Sequence, residues 1–120
     1  MNISYTEVLR QSGDLFALAQ QATRVLEEVV GRSFLPIVAE WDHGADDHGR
    51  PTIVLRLSDG TEKVTDHFAP AELTDAENLD IRLSRLWGEL LEATYRKQLE
   101  QLFKSLGNMS ALENARQNQH

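Results

Sequence analysis

Thr52-Ile53-Val54-Leu55-Arg56-Leu57-Ser58, then Asp59-Gly60, then Thr61-Glu62-Lys63-Val64-Thr65-Asp66-His67-Phe68 is the stretch on which the reading of the fold turns. Two runs of β-type residues flank an Asp-Gly pair. That pattern is the strongest short-range hairpin signal, because a type I′ turn needs φ > 0 at both central residues. In the first run Ile53, Leu55 and Leu57 alternate with Thr52, Val54, Arg56 and Ser58; in the second, Val64 and Phe68 fall on one face. The middle of the chain therefore reads as antiparallel sheet with one covered face and one wetter face.

Upstream, Phe34 to Trp41 is short, apolar and partly β-branched, and predicts a further strand with Pro36 near its start. A polar loop, Asp42 to Pro51, joins it to the hairpin. The three strands form a meander whose apolar face is expected to use Ile37, Ala39, Trp41, Ile53, Leu55, Leu57, Val64 and Phe68.

The flanking segments read as helices. Ser4-Tyr5-Thr6-Glu7 matches a capping box, and Tyr5, Leu9, Phe16, Ala19, Leu26 and Val30 recur at helical spacing. Gly13 allows a break near Ser12, and Gly31 marks a stop. A second capping box, Thr74-Asp75-Ala76-Glu77, opens a helix expected to run to about Leu106, before Gly107-Asn108. Leu79, Leu83, Leu86 and Leu90 form one stripe; Tyr95, Leu99, Leu102 and Leu106 continue it after a five-residue step.

The predicted order is α-β-β-β-α: a two-layer α+β domain over 1–107, a three-stranded antiparallel meander covered by two long helices. Residues 108–120 read as a polar, flexible tail. The same order occurs in double-stranded RNA-binding domains. Those have a basic helix start, whereas Thr74-Asp75-Ala76-Glu77-Asn78 is acidic.

Charge sharpens that exclusion. The net charge is −7. Residues 34–78 hold ten acidic residues against Arg50, Arg56 and Lys63, which by itself gives −7. A sheet so charged repels phosphate, so no nucleic-acid partner is expected there, and a cationic partner, or simply solubility, fits better. No apolar run approaches the roughly 18 residues that cross a membrane. The absence of cysteine excludes disulfides and thiolate chemistry. With no leader-like segment, the expected compartment is the cytoplasm.

Candidate chemistry is sparse. Asp42, His43, Asp46, Asp47 and His48 gather carboxylates and imidazoles, the ligand types of divalent metals, within seven residues. Asp66 and His67 are placed to join them if the sheet brings the loop ends together. The spacing matches neither an EF-hand nor H-E-x-x-H. No G-x-S-x-G, P-loop or G-x-G-x-x-G is present, and nothing calls for a cofactor. A metal-dependent enzyme on this loop is the alternative to a non-catalytic role.

The long helix suggests that role. About 32 residues at 1.5 Å each make about 48 Å, against a diameter near 35 Å for a compact domain of this size. The helix must overhang, or bend at Gly88. An overhang carrying Leu99, Leu102, Phe103 and Leu106, with Trp87 as a further anchor, would leave an apolar stripe that proteins rarely expose. The expectation is a protein-interaction or adaptor module acting as a homodimer. In being small, acidic, α/β and dimeric it is similar in composition to secretion chaperones.

Overall fold

The computed structural model describes residues 1–33 and 35–117, with side chains through Gly107. The chain is an α+β protein. Its elements are β1 (Asn2–Tyr5), α1 (Glu7–Arg10), α2 (Gly13–Val30), β2 (Val38–Ala45), β3 (Pro51–Ser58), β4 (Lys63–Phe68), α3 (Pro70–Thr74) and α4 (Ala76–Gln117).

The sheet has four strands, in the order β1-β2-β3-β4. The antiparallel meander β2-β3-β4 is the one the sequence predicts; β1 is additional and pairs with β2 in parallel. The sequence pattern Ser4-Tyr5-Thr6-Glu7 predicts a helix start with Ser4 as its cap. Instead Ile3 and Tyr5 alternate with exposed Asn2 and Ser4 in a strand. The helix starts two residues later: Thr6, in extended conformation, accepts the Leu9 amide through its hydroxyl. A parallel pair needs a crossover, and α1 and α2 supply it. The break expected near Ser12 separates those two helices, and Gly31 (φ 59°) ends α2.

Register sets the two faces. Ile3, Ala39 and Leu57 lie in one row; Tyr5, Trp41 and Leu55 lie in the next. This face is covered: Ala39, Trp41, Ile53, Leu55, Leu57 and Phe68 are fully buried. Leu9, Ala19, Ala22, Leu26 and Val30 from α1 and α2 meet them, with Leu79, Leu83, Leu86 and Leu90 from α4. The predicted sheet core is thus the observed one, with Val64 half-buried at its margin. Trp41 belongs to this core; its ring lies 6.4 Å from that of Phe68.

Three local features depart from expectation. β2 reaches Ala45, so Asp42 and His43 are strand residues rather than loop residues. The Asp59-Gly60 turn is not type I′: Gly60 has φ 96°, but Asp59 does not have positive φ. The loop spans four residues, closed by the Asp59 amide on the Glu62 carbonyl at 3.2 Å. The third is α4, whose N-terminus Asp75 caps by accepting the Asn78 amide at 3.2 Å. It continues past Leu106 to Gln117, through most of the segment read as a tail; 118–120, like Phe34, lie outside the described residues.

At 42 residues α4 is about 63 Å long. The molecule measures 74 × 29 × 22 Å, and its radius of gyration of 20.1 Å exceeds the roughly 14 Å of a compact chain of this length. The second half of α4 projects from the domain.

Candidate functional site

The Asp/His segment is dispersed by the strand it partly forms. Asp42 and His43 are neighbours in β2, so their side chains leave opposite faces of the sheet. Asp42 Oδ1 accepts the Thr6 hydroxyl at 2.7 Å and the His43 amide at 2.8 Å, while Oδ2 accepts Arg56 at 3.0 Å. Burial opposes its charge, yet the hydrogen bonds from Thr6, Arg56 and His43 prevail and hold its pKa below the ordinary value. Asp46 turns inward on its own loop, accepting the amides of His48 and Arg50 at 2.9 Å each. Asp47 and His48 are exposed.

A hollow of about 290 Å³ does bring Asp46 and Asp47 next to His67, beside Ala45 and Thr52. Asp66 is elsewhere. It pairs with Leu55 on the covered side of the sheet and is held by Arg82 of α4 at 3.0 Å. Among the described residues, no three His, Asp or Glu side chains converge on a position where they could hold a metal. The donors that the sequence gathers are hydrogen-bonded elsewhere, on different faces, or solvated.

The acidic excess is largely engaged as well. Arg56 bridges Glu40 and Asp42 across the open face of the sheet. Arg82 joins Asp66 and Glu72, donates to the His67 carbonyl at 2.7 Å, and lies 4.2 Å above the Phe68 ring. Glu62 faces Lys97 at 3.7 Å. Asp59 is 8% exposed and serves the turn and α4 together. Asp47 and Glu77 are left as freely solvated acids in this region among the described residues.

The outer half of α4 is different in kind. Each residue advances a helix by about 100°, so the five-residue step from Leu90 to Tyr95 turns the apolar stripe by about 140°. Leu79, Leu83, Leu86 and Leu90 face the domain and are buried. Tyr95, Leu102 and Leu106 face away from it, at 63%, 54% and 48% exposed, and Phe103 beside them is 66% exposed. Of the residues expected at an interface, Leu99 is half-buried, Leu102, Phe103 and Leu106 are exposed, and Trp87 instead packs against the core.

Followed back toward the N-terminus, the outward face passes Leu91, Gly88, Ser84 and Ile81. Leu91 and Ile81 are also exposed, at 40% and 53%. The helix thus carries two apolar faces on nearly opposite sides, one filled and one bare. Sequence periodicity found both stripes; the rotation between them follows from counting the five-residue step. Among the described residues no helix is long and apolar enough to cross a membrane. Comparison with protein-family models, with curated proteins and with solved structures finds no match to this chain.

Proposed function

We propose that this protein is a non-catalytic interaction module that acts as a homodimer, with α4 as its self-association surface. The observation that carries the reading is the outward apolar face from Leu91 to Leu106, on a helix that leaves its own domain. A face turned away from the domain gains no cover from it, and bare apolar stripes of this length mark interaction sites. An amphipathic helix presenting residues at i, i+4, i+7 and i+11 (Tyr95, Leu99, Leu102, Leu106) is suited to pairing with another helix.

A cationic partner on the sheet has the net charge of −7 in its favour. Against it stands the engagement of most of those carboxylates within the domain.

Sedimentation equilibrium and light scattering at micromolar concentration test the self-association. The intact chain is expected at twice the mass of one chain, and the Leu102→Glu, Phe103→Glu variant at one. The substituted positions touch no part of the core, so circular dichroism and thermal unfolding of the variant's domain should match the parent. A monomeric intact chain overturns the reading.

A further inference from the structure

The distribution of large and small residues along the outward face of α4 specifies more than a second helix. Its first half carries Ser84 and Gly88 between Ile81 and Leu91; its second half carries Leu99, Leu102 and Leu106 with no small residue among them on that face. Gly88 is exposed, and a methyl group built on it meets nothing within 4 Å. An exposed glycine in mid-helix costs about 1 kcal/mol relative to alanine. Its place on the apolar face suits close approach by a neighbouring helix.

Resting on the self-association proposed above, we infer that two copies of α4 pair antiparallel about a two-fold axis at Tyr95. In that arrangement residue i of one helix lies opposite residue 190 − i of the other. Leu99 meets the partner's Leu91, Leu102 fills the space above the partner's Gly88, and Leu106 covers the partner's Ser84. Large residues thus enter small ones at Gly88 and Ser84, while Leu99 meets the partner's Leu91 and the two Tyr95 side chains meet at the axis; the alternation is what close packing of two helices requires. The two domains then lie on opposite outer sides, because each core-facing stripe points away from the pair.

Charge agrees with the antiparallel sense. An antiparallel pair brings like flanks together. Arg96, which already binds Glu92 of its own chain at 2.8 Å, comes within one helical turn of the partner's Glu92. The partner's Arg96 comes equally near, so two arginines and two glutamates share the axis, and each arginine has one carboxylate of its own chain and one of the partner's to offset the repulsion. A parallel pair sets Arg96 against the flank that carries Gln98 and Ser105, where no carboxylate answers it. It also stacks Gly88 on the partner's Gly88 and leaves a gap.

The native chain lacks cysteine, so one introduced thiol carries a single spin label. Gly107→Cys suits this purpose, since a methyl group built there meets nothing within 4 Å. In the antiparallel dimer the two labelled positions are about 24 residues apart along the axis, or about 36 Å. In a parallel dimer they lie about one helix spacing apart, roughly 10 Å before label length is added.

A dipolar distance distribution centred in the upper thirties of ångströms is expected. A dimer with only a short distance overturns the antiparallel pairing while leaving self-association standing; a monomer overturns both. As a second arm, Gly88→Leu is expected to weaken dimerisation at least tenfold by filling the space of the partner's Leu102. It improves helix propensity, so the domain still folds. Unchanged or tighter dimerisation by Gly88→Leu overturns the register.

Discussion

The Asp59 carboxylate fastens the hairpin turn to the long helix through Thr94. Its Oδ2 accepts the Thr94 hydroxyl, while Oδ1 accepts the amides of Thr61 and Glu62 at 2.9 and 2.7 Å and the Thr61 hydroxyl at 3.0 Å. Burial opposes the charge on this group, but the bonds from Thr94, Glu62 and Thr61 outweigh it and hold its pKa well below the ordinary carboxylate value. Thr94→Val keeps the shape and removes one charge-assisted donor; a loss of about 1.5–3 kcal/mol is expected by urea unfolding.

The same carboxylate sets an acid limit. A depressed folded-state pKa contributes stability that is fully present above the unfolded value, near 3.9, and is lost as pH falls toward the folded one. Asp59→Asn is therefore expected to destabilise in full at pH 6. Below about pH 4 its penalty should shrink, because the native protein is then losing the same contribution. A penalty independent of pH between 6 and 3 would contradict the assignment.

Gly60 and Gly13 make opposite predictions from the same substitution. Gly60 sits at φ 96°, so Gly60→Ala should cost about 1–2 kcal/mol. Gly13 does not have positive φ and has nothing near its Cα side, so Gly13→Ala at the start of α2 should stabilise by about 0.4–1 kcal/mol. Thermal melts of the two variants should shift in opposite directions.

Gly44 is required by space rather than by backbone conformation. A Cβ there would sit 2.8 Å from Val54 Cγ2 and 2.9 Å from Thr52 Oγ1 on the neighbouring strand. Gly44→Ala should therefore cost about 1–3 kcal/mol through forced displacement of β3. Chemical unfolding checks this directly; a neutral result would mean the two strands separate easily at their open end.

Arg82 holds the β4 edge to α3 and α4. Arg82→Met retains the aliphatic stem but removes two ion pairs, the bond to the His67 carbonyl and the contact over Phe68. A loss of about 2–3 kcal/mol is expected. Amide exchange should rise first in β4 and α3.

The meander was legible because strand alternation and the turn pair act locally: Ile53, Leu55 and Leu57 announce the core face of a strand without reference to anything distant, whereas the burial of Thr52 and Val54 on its other face was not announced. β1 was not. Ser4 and Glu7 satisfy a capping pattern that Thr6 satisfies instead, and the choice between them rests on Ile3 and Tyr5 finding Ala39 and Trp41 more than thirty residues away. The Asp/His cluster was legible as composition, but its geometry was not. Consecutive residues in a strand diverge, and whether Asp42 or Asp66 is free depends on Arg56 and Arg82, which only the fold brings close. The Asp59–Thr94 clasp was invisible for the same reason, at a separation of 35 residues.

The two Asp-His dipeptides of the sheet repeat one arrangement: Asp42 takes the His43 amide and Asp66 takes the His67 amide, each at 2.8 Å. At His67, on the outermost strand, the carbonyl is occupied as well, by Arg82. A strand of a second molecule arriving at His67 would find that residue's amide and carbonyl already taken. Sideways growth of the sheet, a common route by which β-proteins aggregate, is opposed at that point. On the self-association proposed above, encounters between copies fall instead to the bare side of a helix.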